Sequence, residues 1–237
     1  MYMLITSLGG KDLVIEENIN KIKKNLSKDV TLVAVSKTKP IEDIEIAYKA
    51  GQRDFGENKV QELIEKEEIL EKDIRWHFIG SLQTNKVKYL VGKVYLIHSL
   101  SSIKLLKKIE SEFSKEGFIA NLLIQINIGK EENKSGIFEE ELDALINEIE
   151  LCNNCKVRGL MAIIPKGNDT ENRYYFKKMK YIYDTLSKKS YKNISMEILS
   201  MGMTNDYKIA IEEGSNLIRI GEGIFGKRNI LGGLTNG

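Results

Sequence analysis

The chain has 237 residues, of which 42% are hydrophobic and 30% charged, as in a globular protein with one large domain or two small ones. Its 36 Lys and Arg residues nearly balance 34 Asp and Glu residues, so the charge gives no support to nucleic-acid or membrane-surface binding. No apolar run approaches the ~20 residues of a membrane span, the chain start lacks a signal-peptide pattern, and two cysteines fit a reducing compartment; we therefore expect a cytoplasmic protein.

Short β-branched runs alternate with amphipathic segments along the chain. In chain order, the pattern predicts a helix at 14–26, a strand at 31–36, a helix at 42–50, a strand at 53–55, a helix at 59–70, a strand at 75–79, a helical segment at 85–90, a strand at 94–98, a helix at 102–115, a strand at 122–128, a helix at 139–151, a strand at 157–164, a helix at 171–188, a strand at 196–199, a helix at 207–212 and a strand at 217–220.

Most of these strands are continuous apolar runs, which is typical of parallel strands buried on both faces. Eight strand–helix units in a chain of 237 residues, near the ~250 typical of such barrels, favour a closed barrel over an open sheet. We therefore predict an α/β fold, a single (β/α)₈ TIM-type barrel with an extra N-terminal helix, over residues 1–228. The polar, glycine-rich residues 229–237 are predicted to be a disordered tail.

Polar side chains lie at the strand ends, where a barrel of this class places its active groups. A lysine at the mouth after the first strand can be partly desolvated, which lowers the pKa of its amine and lets it attack an aldehyde. Glycine-rich ends of strands seven and eight can turn Ser200 and backbone N–H groups toward a phosphate, and an arginine on strand eight can face a pyridine nitrogen. This set fits pyridoxal phosphate. The candidate cofactor-binding residues are Lys37, Asn58, His77, Ser200, Met201, Arg219, Gly221 and Glu222.

These residues by themselves establish only a barrel with a phosphate site. A lysine after a strand is usually solvated, glycine-rich strand ends are usually turns, and Arg219 also fits a structural ion pair. Lys134, in the predicted loop after strand five, has three interpretations: a solvated loop lysine, a group that attracts the anionic cofactor to the barrel mouth, or a transient second acceptor of the aldehyde.

Five segments closely resemble the pyridoxal phosphate homeostasis protein family. They are Val-Ala-Val-Ser-Lys-Thr-Lys-Pro (33–40), Phe-Gly-Glu-Asn (55–58), Trp-His-Phe-Ile-Gly-Ser-Leu-Gln-Thr-Asn-Lys (76–86), Gly-Leu-Met (159–161) and Leu-Ser-Met-Gly-Met-Thr (199–204). The similarity extends from about residue 18 to residue 226. It implies the barrel of alanine racemases without their second domain, with pyridoxal 5′-phosphate held as a Schiff base on Lys37.

Two positions depart from the family pattern. Glu222 stands where the family commonly has threonine, and a carboxylate there would repel a phosphate, so we expect Glu222 to turn away and offer only its backbone N–H. Lys59 replaces an aromatic residue, which affects the expected packing around Asn58.

Two further motifs are interpreted as incidental. Residues 221–226 spell G-x-G-x-x-G, but a dinucleotide site needs this motif after an early strand. Residues 152–155 spell C-x-x-C at a predicted helix C-terminus, whereas a redox pair needs a helix N-terminus and a zinc site needs two more ligands. His77 and His98 lie on other strands, so we expect no metal site.

Two functions remain open: a non-catalytic carrier in cofactor homeostasis and a pyridoxal-phosphate-dependent amino-acid racemase. Racemisation needs an acid or base on each face of the substrate carbon, and in racemases of this fold another domain and a dimer partner supply the second group. Because the eight units use up the chain, we favour a carrier with no catalytic residues, in monomeric form, whose partners are the cofactor and acceptor apoenzymes. A phosphate-binding barrel isomerase without the cofactor is a third interpretation, from outside the family.

Overall fold

The computed structural model describes residues 10–227. Within this range, eight parallel strands form a closed barrel in chain order, and β8 pairs with β1. The strands are β1 (Thr31–Val35), β2 (Asp54–Glu57), β3 (Arg75–Phe78), β4 (Leu96–Leu100), β5 (Ala120–Gln125), β6 (Cys155–Met161), β7 (Ile194–Ser200) and β8 (Leu217–Ile220). The α-helices are α1 (Gly10–Lys24), α2 (Ile41–Lys49), α3 (Val60–Ile69), α4 (Ile103–Lys115), α5 (Leu142–Glu150), α6 (Asp169–Ser187), α7 (Tyr207–Glu212) and α8 (Glu222–Phe225). Thr84–Leu90 and Glu139–Glu141 form 3₁₀ helices.

The barrel strands separate an inner core from an outer one, because successive side chains of a strand point to opposite faces. The inner cluster consists of Val33, Leu96, Leu123, Met161 and Leu217. Ile218 and Ile220 of β8 belong to the larger outer cluster beneath the helices. Arg219 has the same parity as Leu217, so its side chain enters the barrel interior.

Helix α1 is an addition to the eight-fold pattern. Ile15, Ile19 and Ile22 recur at helical spacing and are buried, which gives α1 one apolar face. The helix packs against α2 and α8, and the Asn18 side-chain amide donates to the Ile224 carbonyl at 3.0 Å. Helix α1 therefore covers α8, the last helix in the described range.

The predicted fold class is confirmed: the barrel has the predicted strands in the predicted order. Most bounds shift by one to three residues; the strand expected at 122–128, for example, is 120–125. Residues 222–225 form a helical turn that the sequence did not predict, since four residues are too few for a helical pattern. The segment at 85–90 is a 3₁₀ helix, and the expected tail at 229–237 lies outside the described residues. In the range that the structure covers, no helix is long and apolar enough to cross a membrane.

Candidate functional site

The predicted cofactor-binding residues lie on or directly after β1, β2, β3, β7 and β8, in two groups that differ in burial. The accessible group is Lys37, Asn58, Gly221 and Glu222, and the buried group is His77, Ser200, Met201 and Arg219. The first group forms the rim of the barrel mouth. The second lies in the barrel wall and interior, and three of its side chains, all except Met201, have polar contacts there. Which of them touch a ligand stays a prediction.

Lys37 occupies a tight turn directly after β1. The Lys39 N–H donates to the Ser36 carbonyl at 3.0 Å, which closes the turn around Lys37. Thr38 has φ 63°, a left-handed conformation that is uncommon for a β-branched residue and persists only where surrounding contacts hold it. The Lys39 ammonium donates to the Phe225 carbonyl at 2.9 Å, so the turn is also connected to α8.

Three charged side chains outside the barrel hold this turn. Lys66 of α3 donates to the Ser36 carbonyl at 2.9 Å and to carboxylate oxygens of Glu57 at 2.8 Å and Glu62 at 2.6 Å. Glu57 accepts from the Ser36 hydroxyl at 2.6 Å, and Glu62 accepts from the Thr38 N–H at 2.6 Å. Both neighbours of Lys37 are thus fixed by side chains of β2 and α3. We call Glu57, Glu62 and Lys66 the turn clamp.

Burial and the nearby Lys66 ammonium have opposite effects on the pKa of the Glu57 carboxyl group. Its side chain is fully buried, and Oε2 has no hydrogen-bond partner in the described part of the chain. Burial raises the pKa of Glu57 from its usual 4.5 to about 7, and the attraction of Lys66 opposes this shift only in part. Glu57 therefore holds a proton in the folded protein over a pH range in which an exposed glutamate is ionised.

Asn58 follows Glu57 at the barrel rim. Its side-chain Oδ1 is buried and has no hydrogen-bond partner among residues 10–227. A Cβ atom on Gly80 would come within 2.2 Å of the Asn58 carbonyl oxygen, so only glycine permits the two strand ends to approach this closely. Because buried polar atoms are rarely left unpaired, the free Oδ1 is suited to a ligand that donates a hydrogen bond.

Arg219 brings a buried positive charge to the other side of the barrel. One of its Nη atoms donates to the Ser200 hydroxyl and the other to the Ala162 carbonyl at 2.9 Å. Within the described residues, Arg219 forms no salt bridge. Desolvation lowers the pKa of Arg219 to about 10, which still leaves the guanidinium charged near neutral pH. A ligand with an acceptor atom or negative charge would relieve this unpaired charge.

A cavity of about 480 Å³ opens beside the ends of β6, β7 and β8 and is lined in part by Pro165, Thr204 and Glu222. Its size lies in the range of small-molecule sites, about 300–1,000 Å³. Thr204 accepts from the Gly223 N–H at 3.2 Å, which links the loops after β7 and β8. Glu222 is exposed, and Lys134 pairs with Glu131 and lies 3.4 Å from the Ile164 carbonyl, in the loop after β6.

Sequence reasoning missed the turn clamp and two interior residues, Asp54 and His98. Glu57 stands inside a motif that carries the family resemblance, and Glu62 and Lys66 have the i,i+4 spacing of a helix ion pair. Those signals do not show that the pair reaches the Lys37 turn, because that contact joins residues that are distant along the chain.

The two cysteines form a separate cluster on the opposite face of the barrel, after α5 and at the start of β6. Sulfur atoms of Cys152 and Cys155 and a carboxylate oxygen of Glu110 lie within 4.8 Å of one another. Burial raises the pKa of Cys152 to about 11 and that of Cys155 still further. Glu110 already accepts backbone N–H groups of Asn153 and Asn154. The arrangement favours protonated thiols rather than a metal centre.

The residues at the mouth fit pyridoxal phosphate on chemical grounds. Lys37 supplies an amine on a fixed turn, Asn58 supplies an unpaired acceptor, and Arg219 supplies buried N–H donors. The cavity beside the glycine-rich ends of β7 and β8 is lined by Lys166 as well as by Asp206 and Glu222. This donor set suits a molecule that combines an aldehyde, a hydroxyl group, a ring nitrogen and a phosphate.

Comparisons with known proteins show which family the chain belongs to. Residues 14–229 match the family described as alanine racemase, N-terminal domain. The pyridoxal phosphate homeostasis protein of Aquifex aeolicus is 44% identical over 199 residues, which cover 83% of this chain and 86% of that protein. Structures of PipY from Synechococcus elongatus, without and with PLP bound, have TM-scores of 0.85 and 0.82 at 34% and 33% identity, and each match covers 90% of this chain and 100% of PipY.

An alanine racemase of Clostridium difficile shares the fold alone, at 15% identity and a TM-score of 0.77, and the match covers 91% of this chain but 57% of the racemase. The barrel thus corresponds to one part of that enzyme. The extent of the family match and the identity to the Aquifex protein confirm the resemblance found in the sequence. The chain belongs to the pyridoxal phosphate homeostasis protein family, with the barrel of the alanine racemase N-terminal domain.

Proposed function

We propose that this protein binds pyridoxal 5′-phosphate as a Schiff base on Lys37 and carries it without catalysing a reaction. The observation that supports this most is the fixed turn of Lys37, with both neighbours bonded to the turn clamp, on the rim of a barrel whose interior holds Arg219. PipY, which has 33% identity to this chain, is described with PLP bound. The cofactor supplies the aldehyde, and the protein supplies the amine and the binding groups.

The other predicted residues receive roles within this proposal. The Arg219 guanidinium faces the ring nitrogen, and Asn58 accepts from a ring substituent. The backbone N–H groups of Gly221 and Glu222 hold the phosphate near the ends of β7 and β8, and the buried Ser200 hydroxyl acts through Arg219. His77 and Met201 lie in the wall and floor of the site, where their burial limits direct contact.

Lys37 should be the labelled residue after reductive trapping. Condensation of its amine with the aldehyde forms a C=N bond and releases water, and borohydride reduces that bond to a stable amine. Peptide mass mapping should then place the pyridoxyl group on Lys37. Lys37→Arg keeps the charge and should abolish the label, whereas Lys39→Arg, in the same turn, should retain it. A label found only on another lysine would contradict the assignment.

The carrier proposal rests on the homeostasis names of the relatives and on their length, since the match covers all of PipY but 57% of an alanine racemase. We expect the loaded protein to reactivate a pyridoxal-phosphate-dependent apoenzyme. It should leave the chirality and α-proton of L- and D-alanine in D₂O unchanged beyond the effect of free cofactor. Turnover near 1 s⁻¹, about the low end of typical kcat, that disappears in Lys37→Ala would establish a racemase instead.

Location and assembly complete the proposal. We propose a cytoplasmic protein, in keeping with two cysteines that are both free thiols. We also propose a monomer, which light scattering coupled to size exclusion tests directly: a mass near 27 kDa is expected.

A further inference from the structure

Five buried polar side chains form a continuous line through the barrel interior. They are Asp54 of β2, His77 of β3, His98 of β4, Ser200 of β7 and Arg219 of β8. Asp54 Oδ1 lies 3.0 Å from His77 Nε2, His77 Nδ1 lies 2.9 Å from His98 Nε2, and His98 Nδ1 lies 3.2 Å from the Ser200 hydroxyl. The Ser200 hydroxyl in turn accepts from Arg219.

One direction of hydrogen bonding satisfies every group in this line. Arg219 can only donate, so the Ser200 oxygen accepts from it, and the Ser200 proton is available to His98 Nδ1. Burial lowers the pKa of His98 well below its usual range, so the ring is neutral; if Ser200 donates to Nδ1, the single ring proton is on Nε2. That proton is donated to His77 Nδ1.

The same direction follows from the other end. Although burial opposes it, hydrogen bonds from His77 and Arg75 lower the pKa of Asp54 below its usual value, so this carboxylate is an acceptor. His77 therefore donates from Nε2. Arg75 binds the same carboxylate with two hydrogen bonds, at 2.7 and 2.5 Å, from its partly exposed position. With these tautomers, all four bonds of the line are aligned from a buried cation to a carboxylate.

This alignment bears on Arg219, whose charge has no carboxylate partner in the described part of the chain. Aligned hydrogen bonds polarise one another, so each acceptor in the series becomes stronger than it would be alone. The Ser200 oxygen therefore holds one side of the guanidinium, and the Ala162 carbonyl holds another. The remaining N–H groups of Arg219 are directed by these two fixed contacts.

We propose that Asp54, His77 and His98, acting through Ser200, form a hydrogen-bonded relay that fixes the orientation of Arg219 toward the bound cofactor. These are positioning residues, since none of the three contacts Arg219. The inference rests on the proposed function for the ligand but not for the relay itself. The relay also makes His77 and His98 a single unit with defined tautomers.

The first test uses the protein without cofactor. The chain has only two histidines, so a ¹⁵N-histidine NMR spectrum contains two rings, which His77→Gln assigns. Both rings should have a protonated Nε2 and an unprotonated Nδ1. A proton on Nδ1 of either ring would overturn the relay. This measurement remains decisive even if the protein binds no pyridoxal phosphate, so it separates the two proposals.

The second test asks whether the ends of the relay communicate. Asp54→Asn should shift the His98 Nδ1 resonance although Asp54 does not touch His98, and it should weaken cofactor binding about fivefold, within the range for coupling through packed networks. In the Ser200→Ala background, Asp54→Asn should have no further effect on affinity, because the connection is already broken. Effects that multiply independently, or an unmoved His98 resonance, would overturn the proposal.

Two matched controls separate the relay from general destabilisation. Ser99→Ala makes the same change as Ser200→Ala in the strand that carries His98, but the Ser99 hydroxyl has no hydrogen-bond partner in the described structure. It should leave both resonances and the affinity unchanged. Arg75→Gln removes the outer partner of Asp54 and should have a smaller effect than Asp54→Asn. Equal losses from Ser99→Ala and Ser200→Ala would contradict the relay.

Discussion

Lys66→Met should lower the free energy of unfolding by about 3 kcal/mol, at the lower end of the range for breaking a buried ion pair. Lys66 is 5% exposed and donates to three oxygens around the Lys37 turn. Methionine fills a similar volume but removes the ammonium charge and one donor from each of these oxygens, which keep only their bonds from the turn itself. The loss stays at the lower end because Glu57 can take up a proton instead of remaining as an unpaired buried charge. Urea unfolding monitored by circular dichroism measures this change in the free energy of unfolding.

Glu57→Gln provides the control for this prediction. The double variant Lys66→Met/Glu57→Gln should recover at least half of the lost stability, because the buried carboxyl group is gone. If the double variant is as unstable as the sum of the two single variants, the clamp does not act as a unit.

Glu57 makes the stability of the wild-type protein depend on pH. Since the folded-state pKa of Glu57 is about 7 and its usual value is 4.5, the folded protein binds the proton more tightly than the unfolded chain. This contribution is fully present below the unfolded pKa and is lost as pH rises through the folded pKa. A shift of this size corresponds to at most about 3 kcal/mol. Relative to Glu57→Gln, the wild type should therefore lose stability between about pH 5 and pH 8.

Ser200→Ala should weaken cofactor binding at least tenfold, since a hydrogen bond to a charged group contributes about 1.5–3 kcal/mol. Its hydroxyl is fully buried between His98 and Arg219, so its loss leaves a buried guanidinium N–H without an acceptor. Because the effect acts through Arg219, pyridoxal and pyridoxal phosphate should lose affinity by similar factors. Fluorescence titration of wild type and variant with each ligand measures these affinities.

The comparison of the two ligands separates two roles for Ser200. The sequence places its hydroxyl at the phosphate, and in that case only the phosphorylated ligand would lose affinity. Such a selective loss would contradict the relay as the main role of Ser200. The backbone N–H groups of Gly221 and Glu222 would keep their proposed role at the phosphate in either case.

The sequence by itself determined the barrel and the position of its mouth. Continuous apolar runs separated by helical segments set the parallel topology, and strand order then followed from short right-handed connections. Lys37, Asn58 and Gly221 were found because they directly follow strands, and parallel strands end at one face. The helical turn at 222–225 escaped prediction because four residues carry no period.

Only the tertiary structure decided what holds these residues. The contacts of Lys66 with Ser36 and of His98 with Ser200 join residues 30 and 102 positions apart. No local pattern encodes such pairs, because strand alternation states which face a side chain takes but not which partner meets it across the barrel. Burial also appears only in the folded chain. It is desolvation that raises the pKa of Glu57, keeps His98 neutral and leaves Arg219 dependent on a serine hydroxyl.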